Sequence, residues 1–263
     1  MTWSEPRTRI GRILDAALRD EWDGLERINR DLRLADLFTL LNALMGFTAL
    51  LLAAHGEWRW AIHLVLAGII LDGVDGAVAR LGRGNGPLGG TLDSLADAVS
   101  FVVTPGIIVF VWLDLAPGLG HRLAWALPFG LFATCGLLRL ARFESMRDDG
   151  KERKYFSGLP TPGAAGTLLS VVLLDDVPTW GVALLSAYLA ILMVSRIRFP
   201  KLRGWLGVAA GTLLLLILAS FDWPELQRIA TLASLGFMAL YVLAGPFYVL
   251  TRFGPTEHPG EPA

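Results

Sequence analysis

Cysteine is almost missing from this 263-residue chain; Cys135 is its sole instance, inside an apolar run. One cysteine excludes a disulfide framework and a thiolate metal site. Charge is scarce too, at 18% Asp, Glu, Lys and Arg, with a formal net charge of −1. That balance offers no bulk polycation, so no nucleic-acid partner is expected. The N-terminal stretch MTWSEPRTRIGRILDAALRDEWDGLERINRDLRLAD lacks the apolar core of roughly 7–15 residues that marks a secretory signal, and none is expected. Apolar residues are abundant: 54% are hydrophobic and the mean hydropathy is +0.52. A soluble domain of this length needs more polar surface, so an integral membrane protein is expected.

Residues 8–34 set Ile10, Ile13, Leu14, Leu18, Trp22, Leu25 and Ile28 at helical spacing among Arg, Asp and Glu. This predicts an amphipathic helix along the membrane surface, with a solvated cytoplasmic helix as the alternative. Apolar runs then predict eight spans, at 35–54, 60–80, 91–115, 123–142, 162–175, 178–194, 205–221 and 229–250. The fold class is therefore all-α, about eight transmembrane helices behind a juxtamembrane helix. Residues 1–34 form a cytoplasmic segment, 35–252 the membrane domain and 253–263 a disordered tail. Lysine and arginine crowd the N-terminal region, the 80–90 link, the 139–157 and 195–203 loops and Arg252, whereas the opposite turns hold Arg59, Arg122 and Arg228. Trp58, Trp60, Trp112, Trp125, Trp180 and Trp223 flank those opposite turns, as an interfacial belt does. Both termini are expected on the cytoplasmic side.

Against this apolar background four aspartates stand out, Asp72, Asp75, Asp93 and Asp97, paired i,i+3 and i,i+4 about a glycine-rich link. On helices, each pair shares one face. An acid at the centre of a membrane helix costs ~2.5–3.5 kcal/mol, which makes it a functional-site hypothesis. The second span enters from outside, so Asp72 lies ~18 Å along it, level with Asp93 and Asp97 near the inner start of the third. All four can meet in a cavity open to the cytosol. Four converging carboxylates need cations or protons. Hard oxygen donors without His or Cys select Mg²⁺, Mn²⁺ or Ca²⁺, and two such ions equip a site for in-line phosphoryl chemistry. Gly73, Gly76, Gly89 and Gly90 permit close approach, the helix start near Thr91 favours a phosphate, and Arg80 can neutralise one. A proton relay or an ion-coupled transporter also uses intramembrane aspartates. The acids here, however, concentrate in two adjacent helices, which favours an enzyme.

The spacing is specific: Asp72, two residues, Asp75-Gly76, two residues, Ala79-Arg80, eight residues, Gly89, three residues, Asp93, three residues, Asp97. It resembles the signature of the CDP-alcohol phosphotransferase family at every fixed position. The resemblance implies that Asp72, Asp75, Asp93 and Asp97 hold two metal ions, Mg²⁺ or Mn²⁺. It implies that Gly76, Ala79, Arg80 and Gly89 line the CDP pocket, and that Asp97 is the base that deprotonates the acceptor alcohol. Asn42 on the first span is a candidate nucleotide contact, or else a buried amide between helices. LDSLADAVSF (92–101), LLRLARF (137–143), YFSGLPTPGAAG (155–166) and LMVSRIRFP (192–200) resemble the phosphatidylserine synthase branch. Glu144 departs from that branch, which usually has Asn after the RLARF stretch. The branch implies L-serine as acceptor, CDP-diacylglycerol or an archaeal CDP-lipid as donor, contact with membrane lipids, and a homodimer. Arg139 and Arg142 are candidates for the serine carboxylate. Glycerol phosphate or inositol phosphate as acceptor, a divalent-cation transporter and a silent scaffold are the alternatives.

Overall fold

The computed structural model describes residues 34–81, 89–113, 119–147, 155–202 and 204–253. The amphipathic N-terminal stretch, the centre of the glycine-rich link and the tail lie outside the described residues. Helices α1 (Leu34–Ala54) and α2 (Trp58–Leu81) form an antiparallel pair. α3 (Gly89–Asp97) continues through a π-helical segment (Ala98–Val103) into α4 (Thr104–Trp112). α5 (Leu119–Arg147), α6 (Thr161–Val172), α7 (Thr179–Val194), α8 (Trp205–Ala219) and α9 (Pro224–Phe253) follow.

Each of the eight apolar runs falls on a helix, α3 to α4 counting as one. Among the described residues, Asp36–Ala54, Gly89–Trp112, Ala126–Ser145 and Pro224–Arg252 are long and apolar enough to cross a membrane. α6, α7 and α8 are apolar but shorter. The 12 residues of α6 rise only ~18 Å, against ~30 Å of hydrocarbon core. The protein is thus predominantly helical and of membrane type. Among the described residues there is one non-helical addition: strands β1 (Tyr155–Ser157) and β2 (Arg198–Pro200) pair antiparallel, Phe156 opposite Phe199. Both strands fall in stretches that hydropathy reads as polar loops.

Ile62, Leu66, Phe101, Phe132, Leu168, Leu169 and Met193 fill the interior, while Leu44, Phe47, Leu184, Ile191, Leu243 and Phe247 face outward. An outer surface this apolar suits lipid better than water. Several polar groups are turned inward and paired. Ser100 Oγ donates to Asn42 O (2.9 Å) and Thr104 Oγ1 to Gly46 O (3.2 Å), fastening α1 to the π segment and α4. The approach needs glycine, since a Cβ at Gly46 would lie 2.2 Å from Ser100 Oγ. The buried His63 donates from Nδ1 to Arg59 O (2.7 Å) and accepts at Nε2 from Gln227 (2.9 Å), so its ring is satisfied structurally.

The two ends of the bundle differ in chemistry. At one end Arg59 pairs with Asp175, and Arg228 with Asp176 at 2.7 Å. Trp60 lies on Phe221 there (4.1 Å between ring centroids), and Trp58 packs edge-on against Trp112 (6.5 Å). The other end carries Asp72, Asp93, Asp97, Arg139 and the β ribbon. Consecutive helices running alternately between the ends bring this about.

Candidate metal centre

α2 brings Asp72 and Gly76 towards the charged end, and α3 begins there with the buried Gly89 and Gly90. One turn of α3 separates Asp93 from Asp97, so both carboxylates leave the same face. The side chains of Asp72, Asp93 and Asp97 each offer an oxygen, and these atoms all lie within 4.8 Å of one another. Oxygens sharing one divalent ion at roughly 2.0–2.6 Å stand at most about 4–5 Å apart. The three half-buried carboxylates therefore fit a divalent cation, and their all-oxygen donor set suits a hard one. Asp75, Ala79 and Arg80 lie on α2 as well, but their side chains, like residues 82–88, lie outside the described residues.

A chain of hydrogen bonds enters this cluster from the side. Arg139, buried on α5, donates from Nη1 to Thr161 Oγ1 (3.3 Å). The Thr161 hydroxyl lies 3.3 Å from Asp97 Oδ2 and donates to it. The Arg139 guanidinium also lies 5.9 Å from the Phe156 ring centroid, and its buried Nε has no partner among the described residues. Arg142, one turn further along α5, instead donates from Nη1 to Val194 O at the end of α7 (3.0 Å). Glu144 accepts from Thr91 Oγ1 (3.2 Å) and Ser94 Oγ (3.0 Å), tying the end of α5 to the first turn of α3 beside Asp93.

Asn42 is buried on α1, a level deeper than the carboxylates. Its backbone oxygen is taken by Ser100, and its Oδ1 lies 2.7 Å from where a Cβ on Gly68 would be. Asn42 Oδ1 has no hydrogen-bond partner among the described residues. Asp36 and Thr39 are buried on the same helix at three-residue spacing from Asn42. Sequence reasoning passed over both, although a polar i,i+3,i+6 stripe in an apolar helix was there to find. It also passed over Thr161, whose position is built locally. Gly158 has φ +79°, and a Cβ there would lie 2.2 Å from Met193 O. Gly158 N donates to Ile197 O (2.8 Å) and Leu159 N to Leu192 O (3.1 Å), while Tyr241 Oη donates to Pro200 O (2.8 Å). The chain is thereby stitched to the end of α7 and to β2 before Pro160 caps α6, with Thr161 as the first helical residue.

Comparison with known proteins agrees with this geometry. Archaetidylserine synthase of Methanothermobacter thermautotrophicus is 34% identical over 181 residues, covering 68% of this chain and 74% of that protein. The CDP-diacylglycerol–serine O-phosphatidyltransferase of Helicobacter pylori J99 is 33% identical over 222 residues, 80% of this chain and 88% of its own length. The Mycobacterium bovis protein of the same name is 36% identical over 145 residues, about half of each chain (54% and 49%). Residues 32–212 match the model of the CDP-alcohol phosphatidyltransferase family. That match takes in every helix from α1 to α7 and all four motif aspartates, and the chain belongs to the CDP-alcohol phosphatidyltransferase family.

Proposed function

We propose that this protein transfers the phosphatidyl or archaetidyl group of a CDP-lipid to the hydroxyl of L-serine, releasing CMP. The observation that carries the reading is the convergence of Asp72, Asp93 and Asp97 from two helices in a family whose substrates are CDP-alcohols. The names of the archaeal and H. pylori relatives support serine as acceptor. Asp75 completes the ligand set on this reading, which holds two Mg²⁺ or Mn²⁺ ions. Bound ions supply charge compensation for the pyrophosphate and for the leaving CMP. Gly76, Ala79, Arg80 and Gly89 line the CDP pocket, with Asn42 as a polar contact one level deeper.

Asp97 takes the proton of the serine hydroxyl. The freed oxygen forms a bond to the lipid-bearing phosphorus as the bond from that phosphorus to CMP breaks. Arg139 is the better placed of the two arginines for the serine carboxylate, because it stands one hydroxyl away from Asp97, whereas Arg142 donates to Val194 O. The acidic end of the bundle faces the cytoplasm on this reading, with both termini on that side, eight crossings and a homodimeric assembly. Acyl or isoprenoid chains stay in the inner leaflet while the CDP head enters the site.

The test is CMP release by purified protein in detergent with Mn²⁺ or Mg²⁺, offered ester- and ether-linked CDP-lipids. L-serine, glycerol 3-phosphate, inositol phosphate and no acceptor are compared side by side. Serine-dependent release that EDTA abolishes is expected. Release with a different acceptor alone would reassign the alcohol. Silence with every donor and acceptor, together with metal uptake into proteoliposomes, would replace the enzyme by a cation transporter.

A further inference from the structure

We infer that Thr161 is a positioning residue for the carboxylate cluster, holding Asp97 in its ligating orientation through the chain Arg139–Thr161–Asp97. This rests on the site proposed above. The polarity of the chain leaves one arrangement. A guanidinium can only donate, so Thr161 Oγ1 accepts from Arg139 Nη1, and its own hydrogen is left for Asp97 Oδ2, which as a carboxylate only accepts. Thr161 is fully buried and Arg139 nearly so, which removes water as a competing partner. Both donors are held by elements other than the one that carries Asp97. Arg139 is on α5, pressed against Phe156 of the ribbon, and Thr161 opens α6, whose start is pinned by Gly158 and Leu159. The positive end of the α6 dipole faces the same carboxylate. Asp97 itself sits at the junction where α3 passes into the π segment, and the six residues Ala98–Val103 follow it directly. Such π-helical turns inside a longer helix occur frequently at functional sites. Thr161, held by a different element, gives the carboxylate at this junction an outside tether.

Two substitutions separate this role from packing. Thr161→Val keeps the shape and removes the hydroxyl, whereas Thr161→Ser keeps the hydroxyl and removes a methyl group. The first readout is Mn²⁺ affinity of the full-length protein in detergent, followed by electron paramagnetic resonance of free Mn²⁺ without substrate. The second is kcat for serine-dependent CMP release. Thr161→Val is expected to lose roughly 10–100-fold in Mn²⁺ affinity, with a parallel loss in kcat, as for partners that orient metal ligands. Thr161→Ser is expected to stay within about twofold of the wild type in both readouts, given that the tether is retained. Thr161→Ala provides the same comparison if the valine variant does not fold. Wild-type Mn²⁺ affinity in Thr161→Val, or losses in Thr161→Ser as large as those in Thr161→Val, would overturn the inference. If the wild-type protein releases no CMP with serine, the functional reading falls, and the Mn²⁺ comparison still decides the role of Thr161.

Discussion

Arg139 and Arg142 stand one turn apart on α5 and look equivalent in the sequence, yet their surroundings divide their work. Arg142 spends a donor on Val194 O, at the edge where α7 ends. Arg139 is buried beside the acidic cluster, one hydroxyl away from Asp97. Arg139→Ala is therefore expected to raise KM for serine well above its effect on KM for the CDP-lipid, measured by CMP release. Arg142→Ala is expected to act mainly on stability, by about 1–3 kcal/mol for the carbonyl it leaves unpaired, read as a lower Tm in detergent. The opposite assignment of the two effects would exchange their roles. The aspartates divide in a similar way. Asp97→Asn is expected to lose Mn²⁺ affinity as a ligand and, once Mn²⁺ is saturating, to keep CDP-lipid binding but lose turnover, by at least 100-fold on the general-base scale of about 10²–10⁴. Asp72→Asn is expected to weaken metal and nucleotide binding together. Near-wild-type kcat in Asp97→Asn would remove it from the role of base. Glu144, a departure from the resembled branch, has a role of its own as the shared acceptor for Thr91 and Ser94.

At the level of elements, the site depends on a small ribbon that hydropathy does not reveal. β1 and β2 are three residues each and too short to leave a period-2 pattern, so only their pairing identifies them. The ribbon and the turn after it set where α6 begins, and with it the position of Thr161. Gly158 is the critical joint because it combines a left-handed backbone with contact against Met193 O. Gly158→Ala is expected to destabilise the protein by at least the roughly 1–3 kcal/mol of backbone strain and to lower kcat through displacement of α6. Thermal unfolding in detergent and CMP release check the two halves. Unchanged stability would mean that the turn relaxes freely and does not set the start of α6. The long helices, by contrast, were legible from composition alone. Runs of Leu, Val, Ile and Ala set α1, α3 to α4, α5 and α9 to within a few residues of the expected spans. Ends moved where a helix continued past its apolar part, as α5 does through Arg142 to Arg147.

For the whole molecule, the sharp contrast between the two ends of the bundle bears on orientation. Arg59–Asp175 and Arg228–Asp176 with the tryptophans mark one end. The carboxylates and Arg139 mark the other. In a background with Cys135→Ser, Glu57→Cys is expected to react with an impermeant maleimide from outside intact cells. Asp149→Cys is expected to react only after the cytoplasmic face is opened. Labelling of both from the same side would break the proposed alternation of crossings. EDTA is expected to abolish CMP release, with recovery on adding Mn²⁺ and no loss of folded protein. Unfolding on chelation would instead give the metal a structural role.

The sequence by itself determined that the chain is helical and of membrane type, that four aspartates are the candidates for the centre, and that the family is the CDP-alcohol phosphatidyltransferases. Those properties reside in composition and in short fixed spacings, which survive without knowledge of contacts. Only the tertiary structure decided that Asp72 meets Asp93 and Asp97, that Arg139 and not Arg142 adjoins them, and that Thr161 lies between. The Thr161–Asp97 contact joins residues 64 positions apart, and the Ser94–Glu144 contact residues 50 apart. No local period encodes such pairings. They arise when glycine-mediated close approach and the ribbon fix how α3, α5 and α6 pack against one another.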